Sequence, residues 1–372
     1  MKKRLYNLFL LLFAFLLFFP FTLQAQQTEG LISFTAKVVE IKDSVSKTSS
    51  EGGEFTQQNL YLEAISGPRQ GEFFLYEGIS EVEVANQKIY QVGDKVFVDV
   101  FSTDEGGEIV YVTEYVRSKS LLILAFIFIV IFLLIGKGKG LRALLSLVLT
   151  FIIIIKFILP LILAGHNPFL ISLAGGLIIM ILVIYITEGW KRKSHLAILA
   201  VIFSLLVTLI LSLIFTNLTR LTGMAQEETV YLLGLGSLVL DFRGLLLAGI
   251  LIGAIGVLDD IIVSQIEAVE RIKEANPSLS PKRVFSLAYK IGNTHLGTMV
   301  NTLFLTYAGA ALPLLLIFVL SRESGLDLSR AINSELISTE IIRTLVGSIG
   351  VMSAMPIATF LGAYGLEKWT KK

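Results

Sequence analysis

Hydrophobic positions along this chain follow two different patterns. From residue 31 to 116 they come in short runs separated by turn residues; from residue 121 onward they come in long stretches with few charges. The short runs fall at 31–41, 60–65, 72–76, 82–85, 95–100 and 109–116. They are rich in β-branched and aromatic residues and partly alternate, and Gly52-Gly53, Gly67-Pro68, Gly93-Asp94 and Gly106-Gly107 punctuate them. This pattern predicts five or six short strands. Within residues 26–118 they suit a small all-β, barrel-like domain, OB-like or SH3-like.

The long stretches fall at 121–135, 143–163, 169–186, 196–215, 244–258, 296–320 and 341–366. Most approach or exceed the roughly 20 apolar residues that cross a hydrocarbon core. The predicted fold is therefore an all-α polytopic membrane bundle of about seven transmembrane helices over residues 119–372, preceded by the β domain. The apolar run 230–240 is too short to cross. It reads as a re-entrant or interfacial piece, or as an extension of the next helix. Residues 260–275 are amphipathic: Asp260, Ser264, Glu267, Arg271 and Glu274 share one face, Ile262, Ile266, Val269 and Ile272 another. Glu267 and Arg271 can pair one turn apart, and Asn276-Pro277 stops that helix.

The N-terminus reads as a targeting segment over residues 1–25. Lys2, Lys3 and Arg4 form a basic start, residues 8–19 are apolar, Pro20 breaks the run, and Leu23-Gln24-Ala25 offers a cleavage site. A cleaved signal peptide and an uncleaved signal anchor both place residues 26–118 outside the cytoplasm. Basic residues agree. Segments expected inside carry Lys137, Lys139 and Arg142, then Lys191, Arg192 and Lys193, then Arg271, Lys273, Lys282, Arg283 and Lys290, and finally Lys368, Lys371 and Lys372. Those expected outside hold fewer, so the predicted location is the cell membrane with a cytoplasmic C-terminus.

Composition changes the picture in two ways. The chain is 54% hydrophobic and 16% charged, against roughly 45–50% and about 25% in soluble domains, which supports the membrane reading. It has no cysteine, which removes disulfides, thiolate metal sites and thiol nucleophiles. A formal net charge of +1 selects no partner, and the β segment carries no basic, aromatic-studded patch, so nucleic acid is not expected. No phosphate-binding loop, zinc-binding His pair or nucleophile elbow is present, and no cofactor is predicted. The expected partners are the lipid bilayer, a small solute or ion, and an envelope or extracellular protein meeting residues 26–118.

Charges inside a membrane are costly and are default site candidates. Asp259 and Asp260 end the fifth stretch, after Gly249, Gly253 and Gly256. Gly249 and Gly253 are spaced for close helix approach. Adjacent carboxylates raise each other's pKa, which suits proton or cation coupling, and they offer hard oxygen ligands to a metal ion. The alternative is a polar cap at the membrane surface. In the sixth stretch His295, Thr298, Thr302, Thr306 and Gly309 recur at three- and four-residue steps, with Asn301 on the flank and Pro313 beyond. This stripe reads as a pathway lining or as inter-helix hydrogen bonding. His295 and the aspartate pair fall at similar depth, near enough to meet. Lys156 lies deep in its stretch, where it either snorkels or pairs with Asp241 or Glu340. Arg343, Gly347, Gly350 and Ala354 share one face of the last helix and read as packing.

Several of these residues resemble one family. Gly256-Val257-Leu258-Asp259-Asp260 with Val263-Ser264-Gln265, then Asn276-Pro277, Gly292-Asn293-Thr294-His295, Val300-Asn301-Thr302-Leu303 and Tyr307-Ala308-Gly309-Ala310-Ala311-Leu312-Pro313 are similar to the YibE/F-like membrane proteins. Segments around Arg142-Ala143-Leu144 and Pro160-Leu161-Ile162-Leu163-Ala164-Gly165 are similar too. The likeness is expected to run from the β domain to the last helix. It implies a multi-pass membrane protein and supplies no activity. The residues favour a secondary transporter or permease with Asp259 and Asp260 as its ion or proton site. The alternatives are an accessory protein docking a partner through its β domain, or a membrane-embedded enzyme holding a divalent metal on Asp259, Asp260 and His295.

Overall fold

The computed structural model describes residues 31–48, 54–79, 88–102, 107–234, 240–323 and 328–370. The targeting segment 1–25, the strand expected at 82–85 and residues 235–239 of the run 230–240 lie outside them. The chain divides into two compact units at Leu134/Ile135.

The first unit holds β1 (Leu31–Thr48), β2 (Glu54–Ala64), β3 (Phe73–Glu77), β4 (Lys95–Ser102) and β5 (Glu108–Tyr115). They form one antiparallel sheet in the order β3-β2-β1-β4-β5. Alternation decides which face is inward. Phe34, Ala36 and Val38 of β1, Leu60, Leu62 and Ala64 of β2, and Val96, Val98 and Val100 of β4 point to one side and form the core. β1 is long enough to pair with both neighbours, and irregularities between Val38 and Glu40 and between Ile41 and Asp43 bend it. The sheet therefore curls around its apolar face. Gly67 and Gly93 take positive φ of 89° and 99° in the turns that the sequence marked.

One buried polar contact ties the core to a connecting segment. The Gln58 amide accepts from the Tyr90 backbone N–H at 2.7 Å and donates to the Tyr90 carbonyl at 3.2 Å. The Tyr90 ring is buried against Tyr115 at 5.0 Å, and burial pushes its phenol pKa well above the usual tyrosine range. A raised phenol pKa means that the fold favours the neutral form, so that contribution is complete below about pH 10 and fades as pH rises further. In a fragment of residues 26–118, Gln58→Leu is expected to cost about 1–3 kcal/mol in chemical denaturation, because both Tyr90 backbone groups lose their partner. Tyr90→Phe should flatten the alkaline loss of stability; an unchanged alkaline limb would refute the assignment.

The helices are α1 (Ser118–Ile153), a π-helical turn (Ile154–Ile158), α2 (Leu159–Leu163), α3 (Pro168–Glu188), α4 (Arg192–Leu218), α5 (Glu227–Gly234), α6 (Phe242–Ala275), α7 (Pro281–Ala310), α8 (Leu312–Glu323), α9 (Leu328–Ile332) and α10 (Glu335–Thr370). Among the described residues, five helical runs are long and apolar enough to cross a membrane: Ser118–Leu163, Pro168–Glu188, Arg192–Leu218, Phe242–Ala275 and Glu335–Leu366. The seven expected spans are not all found. The stretches 121–135 and 143–163 are counted together in the run Ser118–Leu163, within which two helices meet at a kink at Lys137 (φ 48°, ψ −131°). The stretch 296–320 is divided between α7 and α8 at Ala311, ahead of Pro313, whose ring cannot continue an α-helical ladder. The amphipathic 260–275 is no separate element, because it continues α6 without a break.

Helix α6 is central to the second unit and packs against α3, α4, α7 and α10. Its Ala254, Leu258, Ile262 and Ile266 are fully buried with Leu205 of α4 and Ala354 of α10. Local chemistry sets the helix starts. Asn167 caps α3, Asp241 caps α6 by accepting from the Gly244 N–H at 2.8 Å, and Ser280 caps α7 ahead of Pro281. Asn276 ends α6.

Small residues set the close approaches. A Cβ on Gly176 would strike Ile255, one on Gly365 would strike Leu196, and one on Gly350 would overlap the Thr208 hydroxyl. Gly223 has φ +79° and sits against the Phe242 carbonyl, so it needs both its conformation and its lack of a side chain. Gly350→Ala is expected to lower stability in detergent by about 1–3 kcal/mol through overpacking. Thr208→Ala in the same chain should restore most of it, because the obstructing hydroxyl is then gone. A loss that Thr208→Ala fails to reduce would show that the α4–α10 contact is not the cause.

Candidate functional site

A cluster of paired charges forms where α3 ends and α4 begins. The turn is shaped by Gly189 (φ 78°), whose carbonyl accepts from the Ser194 hydroxyl at 2.6 Å. Tyr185 stacks on Trp190 at 4.2 Å and hydrogen bonds to His195 Nδ1 at 2.7 Å, while Trp190 meets His195 edge-on. These rings fix the exit of α3 and the entry of α4. Lys193 follows in the first turn of α4, and its side chain is only 9% exposed.

Three carboxylates surround the Lys193 ammonium. Glu188 lies at 3.0 Å, Glu270 at 3.1 Å, and Glu267 is in direct contact. Glu267 also pairs with Arg271 at 2.9 Å, the one-turn pair that the sequence predicts, and Arg271 reaches Glu274 at 3.2 Å. Asp259, Val263, Glu267 and Glu270 recur at helical steps on α6, so one face carries all three acids toward α4. Asp259 is partly buried, and its Oδ1 is buried with no hydrogen-bond partner. The charges that act on it are the carboxylates of Asp260 and Glu188. Around Lys193 itself three carboxylates face one ammonium, and one Asp259 oxygen nearby is uncommitted.

Asp259 and Asp260 do not share an environment. Successive residues on a helix differ by about 100°, so Asp259 turns toward α3 and α4 while Asp260 is exposed. Gly249, Gly256 and Ser264 are exposed with Asp260 on the same face of α6. Gly253 receives the Tyr307 hydroxyl of α7, whereas a Cβ at Gly249, Gly256 or Gly309 would meet nothing within 4 Å.

His295, Thr298, Asn301, Thr302 and Thr306 are all exposed, because α7 turns Val284, Ala288, Gly292 and Leu303 inward. Thr302 donates to the Thr298 carbonyl at 2.9 Å and Thr306 to the Thr302 carbonyl at 2.7 Å. The stripe exists as one continuous face, but it looks out of the bundle. No hydrogen bond or ion pair joins His295 to either aspartate. Among the described residues no group of three or more His, Cys, Asp or Glu side chains is placed to hold a metal ion. Lys156 is exposed within the π-helical turn. Its expected partners are committed elsewhere: Asp241 caps α6 and Glu340 pairs with Arg343 at 2.8 Å.

Sequence reasoning missed two features. One is the Lys193 cluster, whose Glu188, Lys193 and Glu270 look like ordinary flanking charges until the fold joins them. The other is a buried ladder on α4: Ser204, Thr208, Ser212 and Thr216 are each at most 1% exposed. Their strict four-residue spacing is readable in a stretch otherwise taken as uniformly apolar.

A bundle with five helical runs long and apolar enough to cross a membrane fits a multi-pass helical membrane protein. The chain belongs to the YibE/F-like family, whose model, described as YibE/F-like protein, matches residues 124–368. The match covers the helices and not the strands, so the likeness expected to begin in the β domain begins in α1. No curated protein and no solved structure matched the chain.

Lys193→Met would leave Glu188, Glu267 and Glu270 without their shared cation. Removing one partner of a buried pair costs about 3–5 kcal/mol; with these carboxylates a quarter to a third exposed, the expected loss is on the order of 2–3 kcal/mol. Thermal unfolding in detergent measures it, and adding Glu267→Gln should recover part of the loss.

Proposed function

We propose that the chain is a secondary transporter or permease, and that Asp259 with Asp260 forms its ion or proton site. One observation carries the reading: a buried, unpartnered carboxylate oxygen on a helix that runs through the middle of the bundle, beside a cluster already rich in negative charge. Such an oxygen is open to a proton or a small cation. The exposed stripe of His295, Thr298, Asn301, Thr302 and Thr306 on α7, and separately Lys156, supply the solute pathway. In this reading residues 1–25 direct export, residues 26–118 lie outside the cytoplasm and the C-terminus lies inside.

In proteoliposomes holding a panel of ions, metabolites and pH gradients, Asp259→Asn is expected to lose at least about tenfold in flux, the scale of about 1.4 kcal/mol. Asp260→Asn should lose less, because that side chain is exposed. Full flux in both variants would sink the assignment. The natural absence of cysteine makes the orientation directly testable. A cysteine placed at exposed Ser66 should react with an impermeant thiol reagent in intact cells, and one at exposed Ser278 only after lysis. The reverse pattern would invert the topology.

A second reading has its own support. The convex face of the sheet exposes Phe73, Leu75, Phe97, Phe101, Ile109 and Tyr111, with Tyr61 stacked on Phe73 and Phe101 against Tyr111. Exposed aromatic groups of this kind suit protein docking. The strand order also fits an OB-type sheet open between β3 and β5. If docking is the main role, Phe97→Ser with Tyr111→Ser should abolish function while Asp259→Asn leaves it intact.

A further inference from the structure

The end of the bundle opposite the Lys193 cluster contains a cavity of about 270 Å³. It lies between the π-helical turn, α2, α3, α5, α6 and α10. Its walls are mostly apolar, with Ile154, Ile158, Phe242 and Leu246 among them. Three of its lining residues carry buried polar atoms with no hydrogen-bond partner: Ser172 Oγ, Thr339 Oγ1 and Arg343 Nε. Ser172 is fully buried and Thr339 is 3% exposed.

That combination differs from the rest of the bundle. The buried hydroxyls of Ser204, Thr208, Ser212 and Thr359 all donate to the carbonyl four residues earlier in their own helix. Ser172 and Thr339 do not, although each sits in a helix where the same bond is available. Thr216, Ser348, Arg243 Nε and Asp259 Oδ1 also lack partners, but none of these residues lines the cavity. Around the cavity, then, three groups from two helices, one on α3 and two on α10, are left uncommitted in the lining of one space.

Their chemistry selects the ligand. Arg343 donates through its terminal nitrogen to Glu340 at 2.8 Å, which leaves the Nε edge unused. Glu340 is not part of the lining, and no Asp or Glu is. With Glu340 already on the terminal nitrogen, the remaining guanidinium edge and two hydroxyls are donors without an acceptor, and they match a small anion that accepts several hydrogen bonds. The apolar walls match a hydrocarbon body. The volume falls below the roughly 300–1,000 Å³ of pockets that hold drug-sized ligands. The site is anchored on its loop side as well. Glu335 accepts from the backbone N–H groups of Thr222 and Gly223 at 2.6 and 2.9 Å, which holds Gly223 against the lining. The π-helical turn, which carries Ile154 and Ile158, is a local widening of the kind often found at functional sites.

We infer that this cavity binds a small organic monocarboxylate, its carboxylate on Ser172, Thr339 and Arg343 and its alkyl chain against the π-helical turn and α6. The site binds whether or not the chain transports, so it stands apart from the role given to Asp259.

The test is thermal unfolding of the purified full chain in detergent with acetate, butyrate, hexanoate and octanoate, and with butylamine and butanol for comparison. Butyrate or hexanoate should raise the midpoint saturably, and the amine and alcohol should not. Ser172→Ala and Thr339→Val should each weaken that binding roughly tenfold, the effect of one hydrogen bond to a charged group. Asp259→Asn should leave it unchanged, which separates this site from the carboxylate pair. A preference for octanoate with no binding of butyrate or hexanoate would mark a lipid-like occupant and overturn the assignment to a short solute. Absence of saturable stabilisation by any carboxylate, equal stabilisation by butanol, or full binding in both hydroxyl variants would overturn the proposal altogether.

Discussion

Polar groups in a bilayer have to find partners within the protein, because hydrocarbon offers none. The arrangement of the helical unit follows from that constraint. Backbone groups are met by long helices. Buried serines and threonines mostly bond back to their own helices, as along α4, so they can pack against a neighbour without a matching partner there. Gly350 uses this directly: with no side chain it accepts the Thr208 hydroxyl in van der Waals contact, and α4 and α10 close on each other. The same rule explains why Lys193 needs three carboxylates around it. An ammonium with a side chain 9% exposed has little water, and Glu188, Glu267 and Glu270 replace it.

Against this background the exceptions carry the information. Asp259 Oδ1 at one end, and Ser172, Thr339 and Arg343 at the other, are buried polar groups that the chain leaves unpaired. An unsatisfied buried group costs roughly 1–3 kcal/mol. Thr216, Arg243 and Ser348 share that state, and the four that adjoin the carboxylate cluster or line the cavity carry the two proposals. Helix α6 connects the two places. Gly249 lines the cavity, Asp259 is ten residues further along, and at about 1.5 Å per residue they are roughly 15 Å apart on one continuous helix.

Much of the architecture was legible in the sequence because it rests on periodicity. Alternation at Phe34, Ala36 and Val38 and at Val96, Val98 and Val100 identified strands and their inward face, and unbroken apolar runs identified helices. Boundaries were less legible. Lys137 lies in a Gly-Lys-Gly-Lys-Gly stretch that reads as a break, and the backbone does leave the helix there, but a second helix begins directly after it with no loop between. Asp260 to Ala275 changes from apolar to amphipathic pattern without any change of backbone, because a helix leaving the hydrocarbon alters its side chains and not its geometry.

The candidate site was legible only as residue types. That Asp259 and Asp260 are unusual followed from their place at the end of an apolar stretch, but a sequence does not state which faces inward. The 100° between neighbours decides it, together with the packing of α3 and α4 on one side of α6. The polar stripe of α7 shows the reverse limit. Its spacing was read correctly as a single face, and single faces look equally coherent whether they turn in or out. Leu303 and Gly292, on the opposite side, are buried because α6 and α10 pack there, with Gln265 and Met355 against Gly292. An amphipathic helix in water turns its polar side to solvent for the hydrophobic effect. In a membrane that argument is lost, so helix orientation has to be settled by close packing at small residues, and the pattern of polar positions alone does not fix it.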